Sequence, residues 1–359
     1  MYITEEESKQ SKVISNNNEL IVVWKVTALW AFSEAALGGI LHAFRIPFRG
    51  GFIGGTASIL ISLIAYFSKQ KGTILKSTFL VILIKGIVSP HTPLTAYFAV
   101  FLQGFMGQLL FFNKKFFKTS ALILGTLSIF LSSVQKLLIL TIVFGNTLWE
   151  SIDQFAGFIV NNFISQESMI EFRFSYLLVG LYLGIHVFVG IIVGLFAGKL
   201  PLLIEAVCKD EKLDISSFNN SKNALVNPKK HRHKYWWQRP TGILIISFAS
   251  VMVILSYLHP EFGANKAIEV IIMIFRAIII MIIWYFVLAP ILLKYLKRFL
   301  KKKQNLYSSE ITKIIDAFPH LRSLVSYCWK ISSTDKGYKK IKSFLIYLIA
   351  FLLLTDLNN

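Results

Sequence analysis

The sequence predicts an all-α, multi-pass membrane protein, and three observations carry that prediction. Of its 359 residues 55% are hydrophobic and the mean hydropathy is +0.60. Near-uncharged runs of membrane-spanning length recur along the whole chain. The formal net charge of +19 is concentrated in a few segments between those runs, as cytoplasmic loops concentrate it.

The chain opens on "MYITEEESKQSK", a polar, acidic start over residues 1–20 without the basic head or small-residue cleavage site of a signal peptide, so the first apolar helix is expected to stay. A window of about 19 residues picks out apolar spans. They lie near 21–43, 52–68, 73–89, 93–112, 119–145 and 174–199, and three more near 241–258, 267–293 and 342–356. This gives nine spans, six plus three, of which the second and third are short enough to tilt little or to be partly re-entrant.

Four domains follow. They are a cytoplasmic N-terminus (1–20), a six-helix membrane unit (21–200), a basic cytoplasmic linker (201–240), and a C-terminal membrane and coupling region (241–359). Within the last, 294–341 interleaves Leu, Ile, Phe and Trp with Lys and Arg at helical spacing, the pattern of amphipathic helices at a membrane face or on a partner.

If every span crosses once, Lys69 and Lys71, then Lys114, Lys115 and Lys118, then Lys199 to Arg239, and Lys294 to Lys342 share one side. The positive-inside rule makes that side the cytoplasm, with the N-terminus inside and the C-terminus outside. Cys208 and Cys328 both fall in these basic segments and are expected to stay reduced.

One loop breaks the rule. Arg45 and Arg49 of "RIPFRGG" land on the outer side, either as interfacial anchors or as a cationic rim able to hold a carboxylate or phosphate. On the same side "SPHTP" offers Thr92 as a cap and Pro93 as the opening residue of the fourth helix beside His91, a further electropositive feature.

Inside the spans, polar residues are costly and face cavities or partners. Glu34 and His42 lie in the first, Lys85 in the third, Gln103 and Gln108 in the fourth, Lys136 in the fifth and His186 in the sixth. Glu34 with Lys85 or Lys136 can be a buried ion pair that fixes packing. The second span is kept thin by Gly54, Gly55 and Ser58.

Ala31, Ala35, Gly39 and Ala43 recur every fourth residue, so one face of the first helix is stripped of bulk for close packing. Gly190, Gly194 and Gly198 make a second such stripe. No P-loop, zinc-protease motif, nucleophile elbow or Cys/His cluster occurs, so neither a metal site nor ATP hydrolysis is expected in this chain, and the basic residues are read as topology rather than as a nucleic-acid surface.

With these residues in view, the first half resembles the substrate-binding S component of energy-coupling factor transporters. The likeness rests on six helices with the N-terminus inside, on "AFSEAALGGILHAF", and on "RIPFRGG" in the place of a gating loop. It implies that the stripe of Ala31, Ala35, Gly39 and Ala43 packs on a coupling subunit, and that Arg45, Arg49, His91, Gln103, His42, Glu34 and Lys85 line a substrate site.

The second half is similar in outline to a divergent, reduced T component. "AFPHLRS" and "YCWKISS" then supply Arg322, His320 and Trp329 as contacts for a separate ATPase.

The expectation is a bacterial inner-membrane importer subunit. It would bind a small anionic or zwitterionic nutrient, carry no cofactor of its own, and draw on ATP held by a partner. A membrane scaffold for a multiprotein complex is one alternative. A lipid-headgroup enzyme using Glu34 and His42 is the other, and those two residues stand roughly 12 Å apart along one helix.

Overall fold

The computed structural model describes residues 19–36, 49–89, 92–163, 173–209 and 264–355. The described residues are α-helical with short 3-10 and π segments and contain no strand. In chain order the helices are α1 (19–36), α2 (Arg49–Phe67), α3 (Thr73–Val88), α4 (Leu94–Leu110), α5 (Phe117–Phe144), α6 (Asn146–Phe163) and α7 (Phe174–Lys209).

Then come α8 (Ala264–Ile282), continued through a π turn (Ile283–Leu288) into α9 (Ala289–Leu306), then α10 (Ser308–Asp316), α11 (Phe318–Ile331) and α12 (Gly337–Leu354). Among them, Gly50–Phe67, Phe117–Phe144, Phe174–Val207 and Ile272–Leu306 are long and apolar enough to cross a membrane. The protein is a membrane-embedded helical bundle. The expected span at 241–258 lies outside the described residues.

The chain forms two compact units. The larger contains α1–α4, α5 to Lys136, α7 from Val179, and 289–355. The smaller contains the rest of α5, α6, the start of α7 and 264–288. Packing thus divides the chain differently from composition: the stretch from Ala289 onward shares a core with the first four helices.

In the larger unit α1 is the hub. Thr27 Oγ1 lies 2.8 Å from Ser77 Oγ, and Lys85 Nζ donates to Glu34 Oε2 at 2.6 Å. The two contacts come in the same order on both helices, so α1 and α3 run parallel. Glu19 accepts from the backbone N–H of Lys69, placing the start of α1 beside the α2–α3 turn. That turn closes on Gly72, whose φ of 84° is the left-handed region a side chain resists.

α4 begins one residue later than expected: Pro93 itself takes the cap position and no side chain caps the helix. Close backbone contact holds α5 to α7. A β-carbon on Gly125 would sit 2.6 Å from Gly194 Cα, and one on Gly190 2.8 Å from Thr126 Cα. The glycine stripe of the sixth span is therefore spent on packing within the chain.

The amphipathic segment turns its apolar faces onto this unit. Leu300 of α9 lies against Gly86 of α3, Lys76 pairs with Glu310 at 2.8 Å, and the Phe318 ring stands edge-on to Phe32 at 5.3 Å. Ile314, Leu321, Leu324 and Cys328 are fully buried. Burial pushes the Cys328 thiol up to about 12.

α11 and α12 form a hairpin, with Tyr327 against Phe351 and Trp329 against Phe344. At its end the Lys25 ammonium donates to the carbonyls of Leu353 at 3.1 Å and Thr355 at 2.7 Å. This cation neutralises the negative end of α12 and satisfies carbonyls that lack helical partners.

Residue 355 thus lies beside the second turn of α1.

In the smaller unit the acidic connection expected after the fifth span is the amphipathic helix α6. Asp153 on it accepts from Ser175 N at 2.6 Å and from Ser175 Oγ at 2.7 Å, capping the first turn of α7. Gly145, at φ 74°, ends α5, and the Arg276 guanidinium fills the space where its β-carbon would stand.

Helix 264–306 also runs on past the expected end of the eighth span at 293, since nothing after Pro290 breaks it. Pro290 cannot donate to the carbonyl of Phe286, and the π turn just before it takes up that lost hydrogen bond.

Candidate functional site

α2 is thin where it meets α4 and α5. Gly50 and Gly54 recur at a four-residue spacing, so they share one face. A β-carbon on Gly54 would stand 3.3 Å from Gln103 Nε2 and 3.3 Å from the Ser128 carbonyl, and one on Gly50 would collide with Ser132 Oγ. The missing side chains bring a carboxamide and a serine row up to the α2 backbone.

Most buried serines here are already satisfied. Ser58 donates to Gly55 O, Ser62 to Ser58 O and Ser133 to Phe130 O, each within its own helix. Gln103 and Ser128 are the exception. At 8% and 2% exposure, Gln103 Oε1 and Ser128 Oγ have no hydrogen-bond partner among the described residues.

Leaving such groups unpaired costs about 1–3 kcal/mol each. The seam therefore holds an acceptor and a hydroxyl able to donate or accept.

A second polar feature is the Glu34–Lys85 pair, with side chains 1% and 7% exposed. At 2.6 Å it neutralises itself and holds α1 to α3.

The residues expected to line a substrate site divide as follows. Glu34 and Lys85 come together, and Gln103 is buried and in part unsatisfied. Arg49 opens α2, with nothing described of its side chain, while Arg45, His42 and His91 lie outside the described residues.

Of the packing stripe, Ala31 is fully buried and shares the helical face of Thr27 and Glu34 that meets α3, so at that point the face is filled by this chain. Ala35 is half-buried, and Gly39 and Ala43 lie outside the described residues.

Of the docking residues, two are exposed and one is buried. Arg322 is exposed, His320 is turned into the core at 8% exposure, and Trp329 is half-exposed with Lys340 stacked 4.3 Å over its ring. Lys136, the other candidate partner for Glu34, lies over the Tyr182 ring at 5.7 Å instead.

Sequence reasoning missed Ser128, because one more serine in an apolar span carries no signal of its own. It also missed Lys25, which is indistinguishable in sequence from any basic residue at a helix start. Among the described residues no three His, Cys, Asp or Glu side chains cluster as metal ligands would. The chain matches no protein-family model, no curated protein and no solved structure.

Proposed function

We propose that the chain is a membrane subunit of a nutrient importer, binding a small polar molecule within its helical bundle and drawing on a separate ATPase. The observation that carries this reading is the α2–α4–α5 seam, where Gln103 Oε1 and Ser128 Oγ are buried without partners against Gly54.

Membrane proteins seldom retain such groups where packing alone is at stake, since an apolar residue of similar size avoids the penalty. A neutral acceptor beside a hydroxyl suits the N–H and O–H donors of a zwitterionic or heterocyclic nutrient. The C-terminal helices support the coupling half of the proposal. They pack directly on α1 through Phe32–Phe318 and Lys25–Thr355, as a binding unit fused to its coupling unit requires. Arg322, exposed on α11, remains the residue proposed to meet the ATPase.

The scaffold alternative is favoured by one observation: α2 is 61% buried, as a filled bundle requires.

The test is a mild-detergent purification of wild type, Gln103→Leu and Arg322→Glu, with proteins and small molecules identified by mass spectrometry. The importer reading expects a small molecule lost in Gln103→Leu and an ATPase lost in Arg322→Glu. A stable non-ATPase partner with no bound small molecule would overturn it in favour of the scaffold.

A further inference from the structure

Where α2 ends, α5 begins and α7 carries a proline, the larger unit holds a cavity of about 310 Å³. Gly198 lets α7 come close to the start of α5, since a β-carbon there would lie 3.3 Å from Lys118 Cα. Pro201, three residues on, cannot donate to the carbonyl of Ala197, which weakens the helix at the level of the cavity.

Tyr66 forms the back wall. Its hydroxyl donates to Glu205 Oε1 at 2.8 Å and its ring stands edge-on to Phe117 at 5.4 Å, so the wall is fixed from both sides.

The lining combines two chemistries. Phe116, Phe117 and Leu202 make it apolar, and Phe116 and Leu202 are more than half exposed, at 58% and 53%. Lys115 and Lys118 make its rim cationic, and they belong to neither of the two ion pairs among the described residues.

Lys69, Lys71 and Lys199 lie at the same end of the unit, where Glu205 is held by Tyr66 and Glu19 accepts from the Lys69 backbone N–H. The cavity opens between α5 and α7, two of the helices long enough to cross a membrane.

We propose that this cavity binds an acidic phospholipid, with its phosphodiester between the Lys115 and Lys118 ammonium groups and its first acyl carbons along Phe116, Phe117 and Leu202. A basic pocket between membrane helices recognises an anionic headgroup in this way. The apolar walls favour a lipid over a soluble anion, which would leave them exposed. The lysines disfavour a zwitterionic lipid, whose own ammonium they repel.

The experiment uses the full chain purified in a neutral detergent, titrated with phosphatidylglycerol or phosphatidylcholine and read by native mass spectrometry. Three proteins are compared: wild type, the double variant Lys115→Gln/Lys118→Gln, and Leu202→Trp, which fills the slot and keeps both charges. Wild type is expected to hold phosphatidylglycerol selectively, the double variant to weaken it roughly ten- to thirtyfold, and Leu202→Trp to lose it with the lysines intact.

Equal retention of the two lipids would overturn the proposal, and so would a double variant that binds phosphatidylglycerol as wild type does. Displacement of the lipid by inorganic phosphate at equal affinity would also overturn it, showing a free-anion site. The substituted lysines are exposed, so an unchanged melting temperature is expected and separates lost binding from lost fold.

Discussion

α2 and the 272–306 stretch are both apolar enough to span a bilayer, yet 61% of the first is buried in protein and only 6% of the second. The more hydrophobic of the two is the exposed one, with a mean hydropathy of 2.5 against 1.6. α2 carries Gly50, Gly51, Gly54 and Gly55 with Ser58 and Ser62, which allow close backbone approach and satisfy their own hydroxyls. The other stretch shows Ile272, Phe275, Ile282 and Phe286, each about half-exposed or more, as a helix solvated by acyl chains does. In a membrane, high hydropathy marks what meets lipid, and small or polar residues mark what meets protein.

The largest effect should come from the enclosed side. Glu34→Gln or Lys85→Met alone strands the other charge in the core and is expected to cost about 3–5 kcal/mol, while the double change to apolar residues recovers most of it. Denaturant unfolding in detergent measures this. Equal losses in single and double variants would show that the pair is not a closed unit.

Gly194→Val should cost about 1–3 kcal/mol by driving a side chain into the α5 backbone at Leu122, read as a drop in melting temperature. Lys25→Met should cost about 1–3 kcal/mol, leaving the Leu353 and Thr355 carbonyls without their donor. It should also open the C-terminal hairpin to limited proteolysis, a readout that a general loss of packing would not confine to that region.

Cys328 gives a pH test of the buried hairpin. Its thiol is raised from 9.0 to about 12, so the native state favours the neutral form. The stabilisation is complete below pH 9 and fades as pH rises toward 12. Maleimide should label it slowly near pH 8 in the native protein and fully once the chain is unfolded. The smallest effect belongs to the exposed side, where Phe286→Ala, at a residue 78% exposed, should shift stability by no more than about 0.5 kcal/mol.

Local order was largely readable from the sequence. The second to fifth spans, expected at 52–68, 73–89, 93–112 and 119–145, fall within a few residues of α2 to α5, because apolar runs bounded by lysines, glycine and proline define their own ends. α6 shows a limit of that method. Leu148, Trp149, Ile152, Phe155 and Ile159 carry a helical period, but Glu150 and Asp153 lower the window average, and an average discards phase.

Partner choice was less readable. Glu34 could be matched to Lys85 or Lys136 by charge alone, and only packing decides for Lys85. Lys25 meeting Thr355 joins residues 330 positions apart, a contact that no local pattern encodes. In the seam, Gln103 was visible as a costly polar residue, whereas Ser128 gains meaning only from the glycine facing it.

The most direct test of the contrast between enclosed and lipid-facing helices is spin-label accessibility in bilayers. A single cysteine would be placed at Ile64 or at Phe286, with Cys208 and Cys328 replaced by alanine. Oxygen, which concentrates in acyl chains, should relax the label at Phe286 strongly, while the label at Ile64 should be shielded from oxygen and from a polar nickel complex alike. Equal oxygen accessibility at the two positions would contradict this division of the bundle.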